Sequence, residues 1–90
     1  MDEAGTSREA FMSTQEIEVI NQLRGIFQRR GLEAPSMSPT TALDRTLGLE
    51  SLDFAELAVR LEGVYGRDPF SEPNVPPIQT IADLARLYVA

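Results

Sequence analysis

The side chains able to do chemistry in this chain are hydroxyls, carboxylates and guanidiniums, because His, Cys, Lys and Trp do not occur in it. Their absence removes the usual general base, the strongest nucleophile, the Schiff-base amine and the commonest zinc ligands. A paired-carboxylate hydrolase would still need a cleft around its substrate, which a domain of 90 residues rarely encloses. The expectation is a protein with no catalytic residues and no metal site of its own. The hydroxyl that stands out is Ser51, in the segment LGLESLDF from Leu47 to Phe54, where a loop with apolar anchors runs into a helix. Taken alone, a serine at a helix start is a cap that accepts hydrogen bonds from first-turn N–H groups.

The elements that must position Ser51 can be read from spacing. Ser13 and Glu16 form a capping box ahead of Ile17, Ile20, Leu23, Ile26 and Phe27, a stripe at helical period. Arg29, Arg30 and Gly31 end that helix with cations at the negative end of the dipole and a glycine suited to the cap. A long connection with Pro35 and Pro39 follows, and Met37, Leu43, Leu47 and Leu49 are expected to tie it to the core, with Gly48 in a tight turn. The spacing predicts a central helix from Ser51 to Tyr65, with Leu52, Ala55, Val59 and either Leu57 or Leu61 giving apolar contacts on more than one face, stopped by Gly66. Pro69, Pro73, Pro76 and Pro77 exclude a long element beyond it but leave room for one helical turn near residues 71–74. Thr80 caps a last helix with Asp83 in its first turn and Ile81, Leu84, Ala85 and Tyr88 on one face. No strand pattern, repeat or low-complexity tract occurs, so the fold class is all-α, with three main helices plus a short one.

Ninety residues support one domain with a modest core, and the lack of Cys leaves no disulfide to staple it. Met1 to Met12 is polar and aperiodic and is expected to be a disordered arm or an expression remnant, leaving residues 13–90 as the domain. Fourteen Asp and Glu against eight Arg give a formal charge of -6, which repels nucleic acid and anionic membranes and favours basic protein partners. No apolar run approaches the roughly 20 residues of a membrane span, and the start lacks a signal-peptide pattern. The expectation is a soluble, cytoplasmic monomer.

LGLESLDF followed by AELAVRLEGVYG resembles the pattern of the acyl carrier protein family around its modified serine, and IQTIADLARLYV is similar to that family's final helix. The similarity spans about residues 13–89 and implies the family's small antiparallel helical bundle. It further implies that a phosphopantetheinyl transferase attaches 4'-phosphopantetheine from coenzyme A to Ser51. Acyl cargo then rides as a thioester on the arm's thiol and is presented to partner enzymes of fatty-acid, polyketide or related biosynthesis. A phosphodiester at a helix N-terminus is physically well placed, because free N–H groups and the positive dipole end favour an anion there.

The resemblance also assigns a partner surface. Glu50, Asp53, Glu56 and Glu62 are implied to meet basic patches on acyl-loading ligases, synthases or acyltransferases, the alternative being a solvated helix face. Leu52 is either core or an exposed apolar anchor for partners. Val59 counts with the same surface, and Val59, Leu61 and Ile78 either shelter cargo beside the central helix or fill the core. Two departures from the family pattern stand out: Glu50 where an Asp usually precedes the serine, and Arg60 four residues after Glu56, placed to pair with it. Other readings are an aminoacyl or peptidyl carrier, whose common Gly-His ahead of the serine is here Leu49 and Glu50, and an unmodified acidic interaction module.

Overall fold

Ser13 and Glu16 start the first helix, α1 (Thr14–Arg29), as their spacing predicts. In a computed structural model, which describes residues 12–89, the Ser13 hydroxyl accepts from the Glu16 N–H at 3.0 Å. The Glu16 carboxylate returns the bond to the Ser13 N–H at 2.8 Å. The arm expected over residues 1–12 lies outside the described residues except for Met12, which packs against the core. The stripe on α1 is shifted from the expected one: Val19, Ile20, Leu23, Ile26 and Phe27 are buried, whereas Ile17 is 37% exposed. At about 100° per residue, Leu23 centres the buried arc, with Val19 about 40° and Ile17 about 120° away.

The connection after α1 is pinned as expected, with Leu43 and Leu49 buried and Met37 and Leu47 packed against the core. It is also held by backbone bonds that sequence does not announce. Ala42 pairs with Thr80 in an isolated antiparallel bridge, flanked by Leu43 N–H to the Gln79 carbonyl at 2.8 Å and Ile81 N–H to the Thr41 carbonyl at 3.1 Å. A single 3-10 turn, Arg45–Leu47, precedes Gly48, and Asp44 caps it by accepting from the Thr46 N–H at 2.9 Å.

The central helix, α2 (Ser51–Tyr65), has the expected bounds, but its apolar residues divide differently from the expectation. Leu57 and Leu61 are the core pair, while Leu52 is 82% exposed, Val59 is 67% exposed and Ala55 is also on the surface. Leu52 and Val59 lie about 140 to 160° around the helix from Leu57, so no neighbour that covers one face reaches the other. The next turn, Pro69–Ser71, is a 3-10 turn two residues upstream of the expected place, because Asp68 caps it through the Phe70 N–H at 3.1 Å and Pro69 suits the first position. The last helix, α3 (Ile81–Arg86), is capped by Thr80 and Asp83, and Ile81, Leu84, Ala85 and Tyr88 are all buried.

Helix α1 packs against both α2 and α3, whereas the backbones of α2 and α3 make no close approach to each other. Side chains of the connecting segments fill part of that gap and leave part of it open. Beyond the gap, Tyr65 stacks on Tyr88 with ring centroids 5.1 Å apart, and the buried Tyr88 hydroxyl finds no hydrogen-bond partner among the described residues. A buried hydroxyl without a partner costs about 1 to 3 kcal/mol in lost hydration. Tyr88→Phe keeps the stacked ring and is expected to leave the urea-unfolding free energy unchanged or raised by about 1 kcal/mol. A clear loss would show that the hydroxyl is hydrogen-bonded in solution.

Candidate functional site

The turn that delivers Ser51 is built from apolar anchors and one conformational requirement. Leu49 is 2% exposed and Leu47 is partly buried, so the chain is held on both sides of Gly48. Gly48 has φ 102°, in the left-handed region that glycine enters without steric cost. From there the chain enters α2 with Glu50, not Ser51, at the N-cap position. The Asp53 carboxylate accepts from the Glu50 N–H at 2.9 Å, the bond that fixes the start of the helix. Ser51 is the first helical residue, exposed, and its hydroxyl has no hydrogen-bond partner among the described residues. The capping role that a lone serine suggests is thus filled by its neighbours, and the Ser51 hydroxyl is left open to chemistry.

Asp53 belongs to the interior, which corrects its expected place on the partner surface. It is 4% exposed, and the Arg30 guanidinium donates to it at 2.7 Å. The same Arg30 nitrogen donates to the Gly48 carbonyl at 3.0 Å, so the end of α1 grips both sides of the Ser51 turn. Arg29 adds a contact to Asp53 at 3.8 Å. A residue in the LDF segment reads as one more helix acid in the sequence. Only the fold brings Arg30, 23 positions upstream, against it.

Glu56 is similarly occupied. Arg29 donates to it through Nε at 2.9 Å, and Arg60 donates from four residues along the helix at 2.9 Å, the pairing that the sequence spacing predicts. The Arg29 hydrogen bond is the largest influence holding the Glu56 carboxyl below its ordinary value, with Arg60 assisting and burial opposing. Arg60 also reaches Gln22 on α1 at 3.3 Å. It crosses α1 at Gly25, where a Cβ would stand 2.7 Å from the end of the Arg60 side chain, so a larger residue there would make the guanidinium shift. Glu56 is therefore part of the α1–α2 seam, with a side chain only 23% exposed.

What remains on the outer face of α2 is an apolar stripe, Leu52, Ala55 and Val59, bordered by two acids. Glu50 has a side chain 77% exposed, 3.7 Å from Arg30, and Glu62 is exposed with no ion pair among the described residues. Of the expected partner residues, the fold thus brings Glu50, Leu52, Val59 and Glu62 onto one accessible side and withdraws Asp53 and Glu56 into the seam.

The gap between α2 and α3 forms an apolar cleft of about 390 Å³. Its lining includes Leu43, Phe54, Ala58, Phe70 and Ile78. Ile78 is where the resemblance places it, but Val59 faces solvent and Leu61 is fully buried, so neither lines the cleft. Phe54 and Ala58 take their places because they sit on the flank of α2 that turns toward the open side of the bundle. Phe54 lies in the quoted LESLDF segment, and its spacing of three before Leu57 was the signal available for it.

Ser51 stands at the start of the central helix, open to solvent and clear of hydrogen bonds among the described residues. Residues 21–87 match the family described as phosphopantetheine attachment site. The chain is 33% identical over 87 residues to orsellinic acid synthase of Beauveria bassiana, an alignment covering 97% of this chain and 4% of the synthase's length. It is also similar to the solution structure of MacpD, an acyl carrier protein from Pseudomonas fluorescens involved in mupirocin biosynthesis. There the identity is 32% and the TM-score 0.73, over 98% of this chain and 79% of that one. The chain belongs to the phosphopantetheine-binding acyl carrier protein family. Among the described residues no helix is long and apolar enough to cross a membrane, and no group of His, Cys, Asp and Glu is arranged to hold a metal.

Proposed function

We propose that residues 13–90 form a carrier domain that holds acyl intermediates of polyketide-type biosynthesis on a phosphopantetheine arm attached at Ser51, without catalysis of its own and in the cytoplasm. The observation that carries this reading is the Ser51 hydroxyl, exposed and without a hydrogen-bond partner among the described residues, at the start of α2 within the segment matched by the family. Phosphopantetheine supplies a long flexible arm and a terminal thiol that holds an acyl group in activated form. The polyketide assignment draws on the two relatives, one a synthase of orsellinic acid and the other a carrier involved in mupirocin biosynthesis.

Ser51 offers its oxygen to a separate transferase, and the anchored Leu47–Leu49 turn holds that oxygen in a constant position for it. Leu52, Ala55 and Val59 provide an apolar patch for docking enzymes, while Glu50 and Glu62 at its two ends meet basic residues on them. Asp53 and Glu56 act one step back, by fixing α2 against α1. The apolar cleft beside Phe54 and Ile78 is of a size and lining to receive part of an acyl chain.

The experiment is intact-mass and peptide-mapping analysis of the protein isolated from its native host. A phosphopantetheine increment on the Ser51 peptide, with further mass from acyl or ketide units, is expected. Amino-acid mass on the arm would replace the acyl reading with an aminoacyl carrier, and an unmodified Ser51 in a host that modifies other carriers would overturn the carrier reading.

A further inference from the structure

The guanidiniums on the α1 side of Ser51 are already engaged within the protein. Arg30 is bound to Asp53 at 2.7 Å and stands 3.7 Å from Glu50, and Arg29 is bound to Glu56. Arg45, in the 3-10 turn ahead of Gly48, is different: it is exposed, and no carboxylate pairs with it among the described residues. It lines an open groove of about 590 Å³ together with Gly48, Leu49, Glu50, Ser51 and Leu52. The Ser51 hydroxyl therefore opens into a groove whose wall carries a cation that no carboxylate among the described residues pairs with.

Backbone donors stand at the same place. The Glu50 N–H donates to the Asp53 carboxylate and the Asp53 N–H to the Glu50 carbonyl, each at 2.9 Å, while the Ser51 and Leu52 N–H groups between them make no backbone hydrogen bond among the described residues. Of the acids nearby, Asp53 is paired with Arg30 at 2.7 Å, whereas Glu50, 3.7 Å from the same guanidinium, has a side chain 77% exposed, so solvent and salt screen the charge it keeps. A phosphodiester is a permanent anion at neutral pH, and the planar guanidinium fork matches its two free oxygens better than a point charge would.

We infer that Arg45 binds the phosphodiester of the arm on Ser51 and so lays the first part of the arm along the groove between Arg45 and Leu52. The inference rests on the carrier reading above and adds a residue to it. The contact is at the surface, so it is screened by salt and released without difficulty when a partner enzyme draws the arm away.

The test uses the full chain loaded from coenzyme A by a phosphopantetheinyl transferase, with intact mass checked first. Failure to load counts against the carrier reading itself and is seen before the inference is examined. On the loaded protein, phosphorus-31 NMR follows its phosphodiester from about 0.01 M to about 1 M salt, over which the screening length falls from about 30 Å to about 3 Å. The wild-type resonance is expected to move with salt, and Arg45→Gln to lose more than half of that movement. Arg67→Gln, which removes an exposed cation beyond the far end of α2, is expected to behave as wild type. Amide spectra of each variant confirm the fold. A salt response retained in Arg45→Gln, or lost equally in Arg67→Gln, would overturn the assignment.

Discussion

Ser51→Ala is expected to abolish phosphopantetheine loading completely while leaving the fold and its stability essentially unchanged. Loading needs an accessible hydroxyl, and the other Ser and Thr residues within LGLESLDF's surroundings are committed elsewhere: the Thr46 N–H and hydroxyl both engage Asp44, and Thr41 and Ser38 bond to each other. The stability half of the expectation comes from the fold. Loss of a serine cap usually costs about 0.5 to 2 kcal/mol, but here Glu50 and Asp53 start the helix and Ser51 lies inside it. Alanine at a first-turn position is at least as good a helix former as serine, so a change within about 0.5 kcal/mol is expected. Glu50→Asp keeps the acid before the serine and should retain loading. Intact mass with peptide mapping, a far-ultraviolet circular dichroism spectrum and a urea titration of each variant decide the matter. A mass increment on folded Ser51→Ala protein, or none on wild type with several competent transferases, would sink the assignment.

The second large effect concerns stability. Asp53→Ala is expected to cost about 3 kcal/mol, because it removes one partner of a buried ion pair and the carboxylate that receives the Glu50 N–H. Arg30→Ala should cost a similar amount, since it leaves the Asp53 carboxylate with the Glu50 N–H and, as counter-charge, only the 3.8 Å contact to Arg29, and frees the Gly48 carbonyl. Glu62→Ala, which removes an exposed acid from the same helix, should stay within about 0.5 kcal/mol. Urea unfolding at low temperature measures all three, and failure of Asp53→Ala to fold at all agrees with the expected direction. An Asp53→Ala protein no less stable than Glu62→Ala would show that the pair adds nothing. One consequence is practical. Charge reversal at Asp53 would probe folding, so the electrostatic part of partner docking is better tested at Glu62.

Much of the architecture was legible because it is written in local chemistry. Capping at Ser13 with Glu16 and at Thr80 with Asp83 depends on residues three apart, and those spacings survive any tertiary arrangement. The i, i+3, i+4, i+7 pattern of Ile81, Leu84, Ala85 and Tyr88 is buried throughout, although α3 itself ends at Arg86, and Gly31 takes the left-handed backbone that its place after α1 suggested. The pairing of Glu56 with Arg60 followed from their separation alone.

The sequence by itself determined the three main helices and the loop anchors Leu43 and Leu49, and it singled out the segment that carries Ser51. Tertiary structure alone decided what surrounds that serine. Helix α2 carries apolar residues on two faces, and periodicity places Leu52 with Val59 and Leu57 with Leu61 without saying which pair α1 will cover. Packing chose Leu57 and Leu61, so Leu52 and Val59 became surface. The acids were sorted in the same way: a carboxylate close to Ser51 in sequence looks available, but Asp53 and Glu56 lie within hydrogen-bond reach of Arg30 and Arg29 from the end of α1. A charge taken out of water is stable only beside its counter-charge, and that distance is a property of the folded bundle, not of spacing along the chain.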